Sequence, residues 1–167
     1  MHSTPSARDR ALYERLYVAR DDLRHASSFA AHLLKKGWHF DPWERRGSTY
    51  MQQSAYTTAL VVTYARPFTE SRGWPKFPKR LAPYDDEQKS LHRKILILRN
   101  EVYAHSDVAR QQVRPYKILG SASAIVMQPS MKLTKKETEA LMEMIQATAS
   151  AIDARMAQLI DTVHDET

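Results

Sequence analysis

TKKETEALMEMIQATASAIDARMAQLIDTV, residues 134–163, carries the clearest helical signal in the chain. Thr134 and Glu137 stand three apart at its head, the spacing of a capping box, in which each side chain accepts a hydrogen bond from the other residue's amide. Behind the box, Leu141, Met144, Ile145, Thr148, Ile152, Met156, Leu159 and Val163 recur at helical spacings. A helix of 3.6 residues per turn gathers them onto one face. So long a one-sided helix has to bury its stripe against other elements.

Working outward, three more stretches read the same way. Across residues 8–36 the apolar positions are Leu12, Leu16, Ala19, Leu23, Ala26, Ala30 and Leu33, with Gly37 as the stop after Lys35 and Lys36. Residues 48–64 carry Met51, Ala55, Leu60 and Val62, limited by Pro67. Residues 85–105 open on Asp85 and Asp86, acidic groups suited to the positive end of a helix, and their seam is Leu91, Ile95, Leu98 and Val102. The expected architecture is all-α, an up-and-down four-helix bundle forming a single domain over residues 1–167.

Two connections are unlike the helices. Residues 67–83 hold five prolines and glycines with Arg72, Lys76, Lys79 and Arg80, a composition that reads as a long Pro-rich basic loop. Its Trp74 and Phe77 sit among those charges, either to stack bases while Lys76, Lys79 and Arg80 hold phosphates, or to fold back onto the bundle. Residues 116–131, between Arg114-Pro115 and the last helix, form either a short hairpin or an irregular loop.

The totals narrow the function classes. The 167 residues include no cysteine, which excludes disulfides, thiolate metal sites and thiol catalysis. There is no GxGxxG, GKS, GKT or GxSxG, which argues against nucleotide-cradling loops and serine-hydrolase elbows. His25, His32 and His39 recur at seven-residue intervals, but no metal site and no cofactor is read from them. No apolar run reaches the roughly 18 residues of a membrane helix and residues 1–10 are polar, so a cytoplasmic setting without membrane is expected. The formal charge of +6 and the pI of about 9.6 lean toward a polyanionic partner.

The candidate chemistry lies in Leu98-Arg99-Asn100-Glu101-Val102-Tyr103-Ala104-His105. An Arg, a following Asn and a His after a five-residue gap, late in the third helix of a bundle, resemble the signature of the HEPN superfamily. The resemblance implies a metal-independent endoribonuclease, a toxin or antiviral defence effector, with Arg99, Asn100 and His105 catalytic. Histidine titrates near neutrality and suits proton transfer, and a permanently charged guanidinium suits the oxygens of a phosphorane. Arg66, at the end of the second helix, either reaches the substrate groove or caps the helix. Tyr103, one turn beyond Arg99, either packs or lines the same cleft.

Six residues apart, Arg99 and His105 on an ideal helix point about 120° away from each other and lie roughly 9 Å apart along the axis. Either the helix ends near Ala104, or two copies pool their motifs. The resemblance implies the second, a homodimer with a shared active-site cleft, RNA as substrate and a cognate antitoxin as a further partner. Asp107 stands where some members carry a modified Tyr. The alternative is a catalytically inactive HEPN-like domain that binds RNA or protein as a scaffold.

Overall fold

In the computed structural model, which describes residues 7–45, 47–103, 112–127 and 132–163, the periodic stretches form four helices: α1 (Ala7–Lys36), α2 (Ser48–Ala65), α3 (Asp86–Tyr103) and α4 (Lys135–Val163). α1 packs most extensively on α4 and α2, α2 also packs on α3, and α3 on α4, so the helices close a ring. Leu16, Leu23 and Leu33 of α1, Leu60 and Tyr64 of α2, Ile95 of α3 and Leu141, Met144 and Ile152 of α4 meet at its centre. Full burial of one such side chain contributes on the order of 1.5–3 kcal/mol, so this ring supplies most of the drive to fold.

The helix ends follow the sequence closely. Thr134 N donates to Glu137 Oε2 at 2.9 Å and Glu137 N to Thr134 Oγ1 at 3.1 Å, the expected capping box. Asp85 and Gln88 form an equivalent pair at the head of α3, with bonds of 3.1 and 2.8 Å. At the tail of α1, Gly37 at φ 64 lets its own amide reach Leu34 O and that of Trp38 reach Leu33 O. Those two bonds are a Schellman motif, which requires the left-handed conformation glycine adopts without strain.

α2 departs from its simple apolar reading. Met51 and Ala55 are exposed, and the helix instead buries Gln53, Thr57, Leu60, Val61 and Tyr64. A buried amide is tolerated because Gln53 Oε1 accepts from Phe40 N at 2.9 Å and its Nε2 donates to Phe40 O at 2.8 Å.

The segment 67–83 is not wholly irregular: one-turn 3₁₀ helices span Arg66–Phe68 and Lys79–Leu81. A proline fits the first turn of a helix, where its missing N–H has no partner to lose, and Pro67 is buried there. Phe68 and Phe77 pack against the core, 5.1 Å apart in an edge-to-face pair, while Trp74 stays 40% exposed.

The stretch before α4 is a hairpin. β1 (Gln112–Ile118) and β2 (Ser121–Met127) are antiparallel, with Ile118 opposite Ser121. Pro115 is accommodated because each strand of a two-stranded sheet has an open edge. The turn residues Leu119 and Gly120 both have positive φ, 46° and 83°, the handedness that matches strand twist. Leu119 is fully exposed and held where a branched side chain is strained by roughly 1 kcal/mol. Leu119→Asn, which creates the Asn-Gly pair such turns favour, should slow amide exchange across the hairpin by about five-fold.

Candidate nucleic-acid interface

Three guanidinium groups converge from separate elements. Arg15 of α1, Arg66 just past α2 and Arg99 of α3 line one cleft of about 440 Å³, with Asp22, Glu70 and Trp74 on the same walls. Arg15 is only 5% exposed. Its Nη2 donates to the carbonyl oxygens of Arg66, Pro67 and Thr69 at 3.4, 2.7 and 3.2 Å, tying α1 to the turn that follows α2. Burial lowers its pKa and the nearby Asp22 opposes that shift. Arg15 therefore positions the backbone that carries Arg66.

Arg66 is exposed and its Nη1 donates to Asp22 Oδ1 at 3.2 Å, where the carboxylate is largely covered. Arg99 is half-buried, and its Nη1 donates to Asn100 Oδ1 at 3.1 Å. Asn100 thus turns its amide oxygen to the cation and leaves its amide N–H groups as the donors of the pair. Among the lining residues, three guanidinium charges stand against the carboxylates of Asp22 and Glu70, a local balance of +1. Such a cleft attracts an anion, but a resident carboxylate competes for Arg66. Asp22→Asn should raise affinity for single-stranded RNA by about three- to ten-fold at low salt, measured by filter binding or fluorescence anisotropy, and the gain should shrink as salt is added.

Comparison of the chain with protein-family models, with curated proteins and with solved structures finds no match.

The sequence-derived residues do not all fall together. Arg66 and Arg99 share the cleft, and Asn100 is exposed beside it. Lys76 and Lys79 line an adjoining cavity, whereas Arg80 is exposed and lines neither. The backbone of Tyr103 forms the last residue of α3. His105, with Ala104 and Asp107, lies outside the described residues.

Two residues join the site that the motif and the loop composition do not mark. Arg15 is one; the signal was its place between Leu12 and Ala19 at helical spacing, which puts a charge on the buried face of α1. The other is His92. Its Nδ1 lies 2.9 Å from Tyr64 Oη, Tyr64 donates to Tyr84 Oη at 3.2 Å, and Tyr84 is 2.7 Å from Thr148 Oγ1. Because Tyr64 gives its proton to Tyr84, the chain assigns the His92 proton to Nδ1 and leaves Nε2 as an acceptor. Burial pushes the His92 pKa down and both tyrosine pKa values up, so all three are neutral near pH 7.

The histidines at seven-residue intervals go separate ways. His25 lies beside Asp21, His32 stacks on Tyr56 at 4.2 Å, and His39 Nδ1 meets Leu133 O at 3.1 Å. Among the described residues no group of three His, Asp or Glu could hold a metal ion, and no helix is long and apolar enough to cross a membrane.

Proposed function

We propose that this chain is a metal-independent endoribonuclease of the HEPN type, acting as a homodimer in a toxin or antiviral defence setting. The observation that carries the proposal is the joint placement of Arg99 and Arg66 in one cleft, with Arg99 bonded to Asn100. In the reaction the 2′-hydroxyl loses its proton, its oxygen forms a bond to phosphorus, and the bond from phosphorus to the 5′-oxygen breaks. The departing oxygen takes up a proton, leaving a 2′,3′-cyclic phosphate and a 5′-hydroxyl. Arg99 stabilises the charge that builds on the non-bridging oxygens, Arg66 holds a neighbouring phosphate, and His105 moves the proton.

The outward face of α3 supports the two-copy arrangement. Ser90, Arg93, Ile97 and Asn100 follow one another at helical spacing and are exposed, Ile97 by 57%. A second copy packed there about a two-fold axis covers that apolar side chain and brings the two motifs together.

The test is a labelled single-stranded RNA incubated in EDTA with the protein and with His105→Ala. Cleavage by the wild type, reduced at least a hundred-fold in the variant, is the expected result. Equal behaviour of the two removes the proposal. A second reading, a catalytically inactive scaffold that binds RNA or protein, is favoured by the ion pair between Asp22 and Arg66, which occupies one cation of the cleft. Salt-dependent RNA retention without cleavage is its signature.

A further inference from the structure

The arginine cleft shares Thr69, Glu70, Ser71 and Trp74 with a second cavity of about 690 Å³. Phe68, Trp74, Phe77, Tyr84 and His92 are the rings of its lining, and Lys76, Lys79 and Lys89 its cations. Phe68 stands edge-on to Phe77 and to His92, with ring centroids 5.1 and 4.6 Å away, so three of the rings brace one another. Trp74 is the exposed ring, on the wall between the two cavities. The volume falls within the roughly 300–1,000 Å³ of pockets that take small organic ligands.

Among the polar groups that line this cavity, Lys89 and His92 are set on the same helix as Arg99. His92 Nδ1 is committed to Tyr64, and among the described residues nothing is hydrogen-bonded to Nε2. A neutral imidazole whose Nδ1 is a donor offers one acceptor to an N–H group on a planar ligand. Lys76 is paired with Glu70, whereas Lys79 makes no ion pair among the described residues. His92, Leu96 and Arg99 follow at helical spacing along α3, which sets the imidazole and the guanidinium on one side of the helix about 10 Å apart along its axis. One helix face thus joins the aromatic cavity to the anion cleft.

We infer that the aromatic cavity is a nucleobase subsite: a nucleotide lays its base against Trp74, with an N–H edge toward His92 Nε2, while its phosphate lies in the cleft of Arg66 and Arg99. The inference rests on the RNA-cleaving reading and adds to it the part of the substrate that the protein reads. A lipid or an apolar peptide fits less well, because the cavity adjoins three guanidinium groups and carries lysines of its own.

Binding of each of the four 5′-mononucleotides is measured by tryptophan fluorescence and by the Trp74 indole N–H resonance, assigned with Trp74→Phe. Inorganic phosphate serves as the control for charge alone. At least one mononucleotide should bind tenfold or more tightly than phosphate and move the Trp74 signal. Trp74→Ala should weaken it by between about five- and a hundred-fold, and Trp74→Phe should retain most of the affinity, as base stacking requires. If mononucleotides and phosphate bind equally, or Trp74→Ala binds as wild type does, the subsite is wrong.

The same variants in the cleavage assay separate this inference from the reading beneath it. With RNA as substrate, Trp74→Ala should raise KM more than it lowers kcat, and the preferred mononucleotide should compete with RNA. Nucleotide binding at Trp74 by a protein that cuts no RNA leaves the subsite standing and removes the nuclease. RNA cleavage indifferent to Trp74→Ala and to mononucleotides does the reverse.

Discussion

Replacing Arg99 by Ala is expected to lower the rate of RNA cleavage by about 10²–10³-fold while leaving the fold intact, the scale of loss seen when a preorganised charge donor is removed from a developing oxyanion. Arg99 is half-buried on the wall of the cleft and lies outside the packed centre of the bundle, so truncation leaves no cavity there. Arg99→Lys should rescue only part of the loss. An ammonium keeps the charge but not the planar fork that addresses two oxygens at once and also holds Asn100. Single-turnover rates with saturating RNA and circular-dichroism melts of each variant decide the matter. Wild-type turnover by Arg99→Ala would remove the electrostatic role assigned to it.

The second large effect is structural. Arg15→Ala removes a buried guanidinium whose Nη2 serves three backbone carbonyls, at Arg66, Pro67 and Thr69. Hydrogen bonds from a charged donor contribute about 1.5–3 kcal/mol, so a loss of about 2–3 kcal/mol is expected, a fall in Tm of roughly 4–12 °C for a chain of this size. Arg15→Lys should recover little of it, since one ammonium cannot keep the same fan of contacts. RNA affinity should fall with stability, because the turn that carries Arg66 loses its tether to α1. A variant as stable as wild type would mean that the tether contributes nothing.

The helices were legible because their signals are local. The 134/137 box, the glycine after Lys36 and the three-four spacing of Leu16, Ala19, Leu23 and Ala26 each act within one or two turns, and the fold keeps all of them. The face of α2 was harder to read, because a buried Gln53 depends on the backbone of Phe40, thirteen residues away. The hairpin carries little alternation in β2, and its turn uses Leu119-Gly120 in place of a favoured Asn-Gly pair. At the site, Arg66 and Arg99 were marked by chain position and motif. Arg15 and His92 were not, since their partners lie 51 residues away on the turn after α2 and 28 residues away at Tyr64. Only the closing of the bundle brings those groups together.

In the proposed reaction a guanidinium and an imidazole from this motif drive attack by a 2′-hydroxyl. Product analysis of an RNA and of the same strand carrying one 2′-deoxynucleotide at the cut site, both in EDTA, tests it most directly. A 2′,3′-cyclic phosphate and a 5′-hydroxyl are expected from the first, and no cut at the substituted position in the second. Scission at the deoxy position, or a 5′-phosphate on the product, would contradict it.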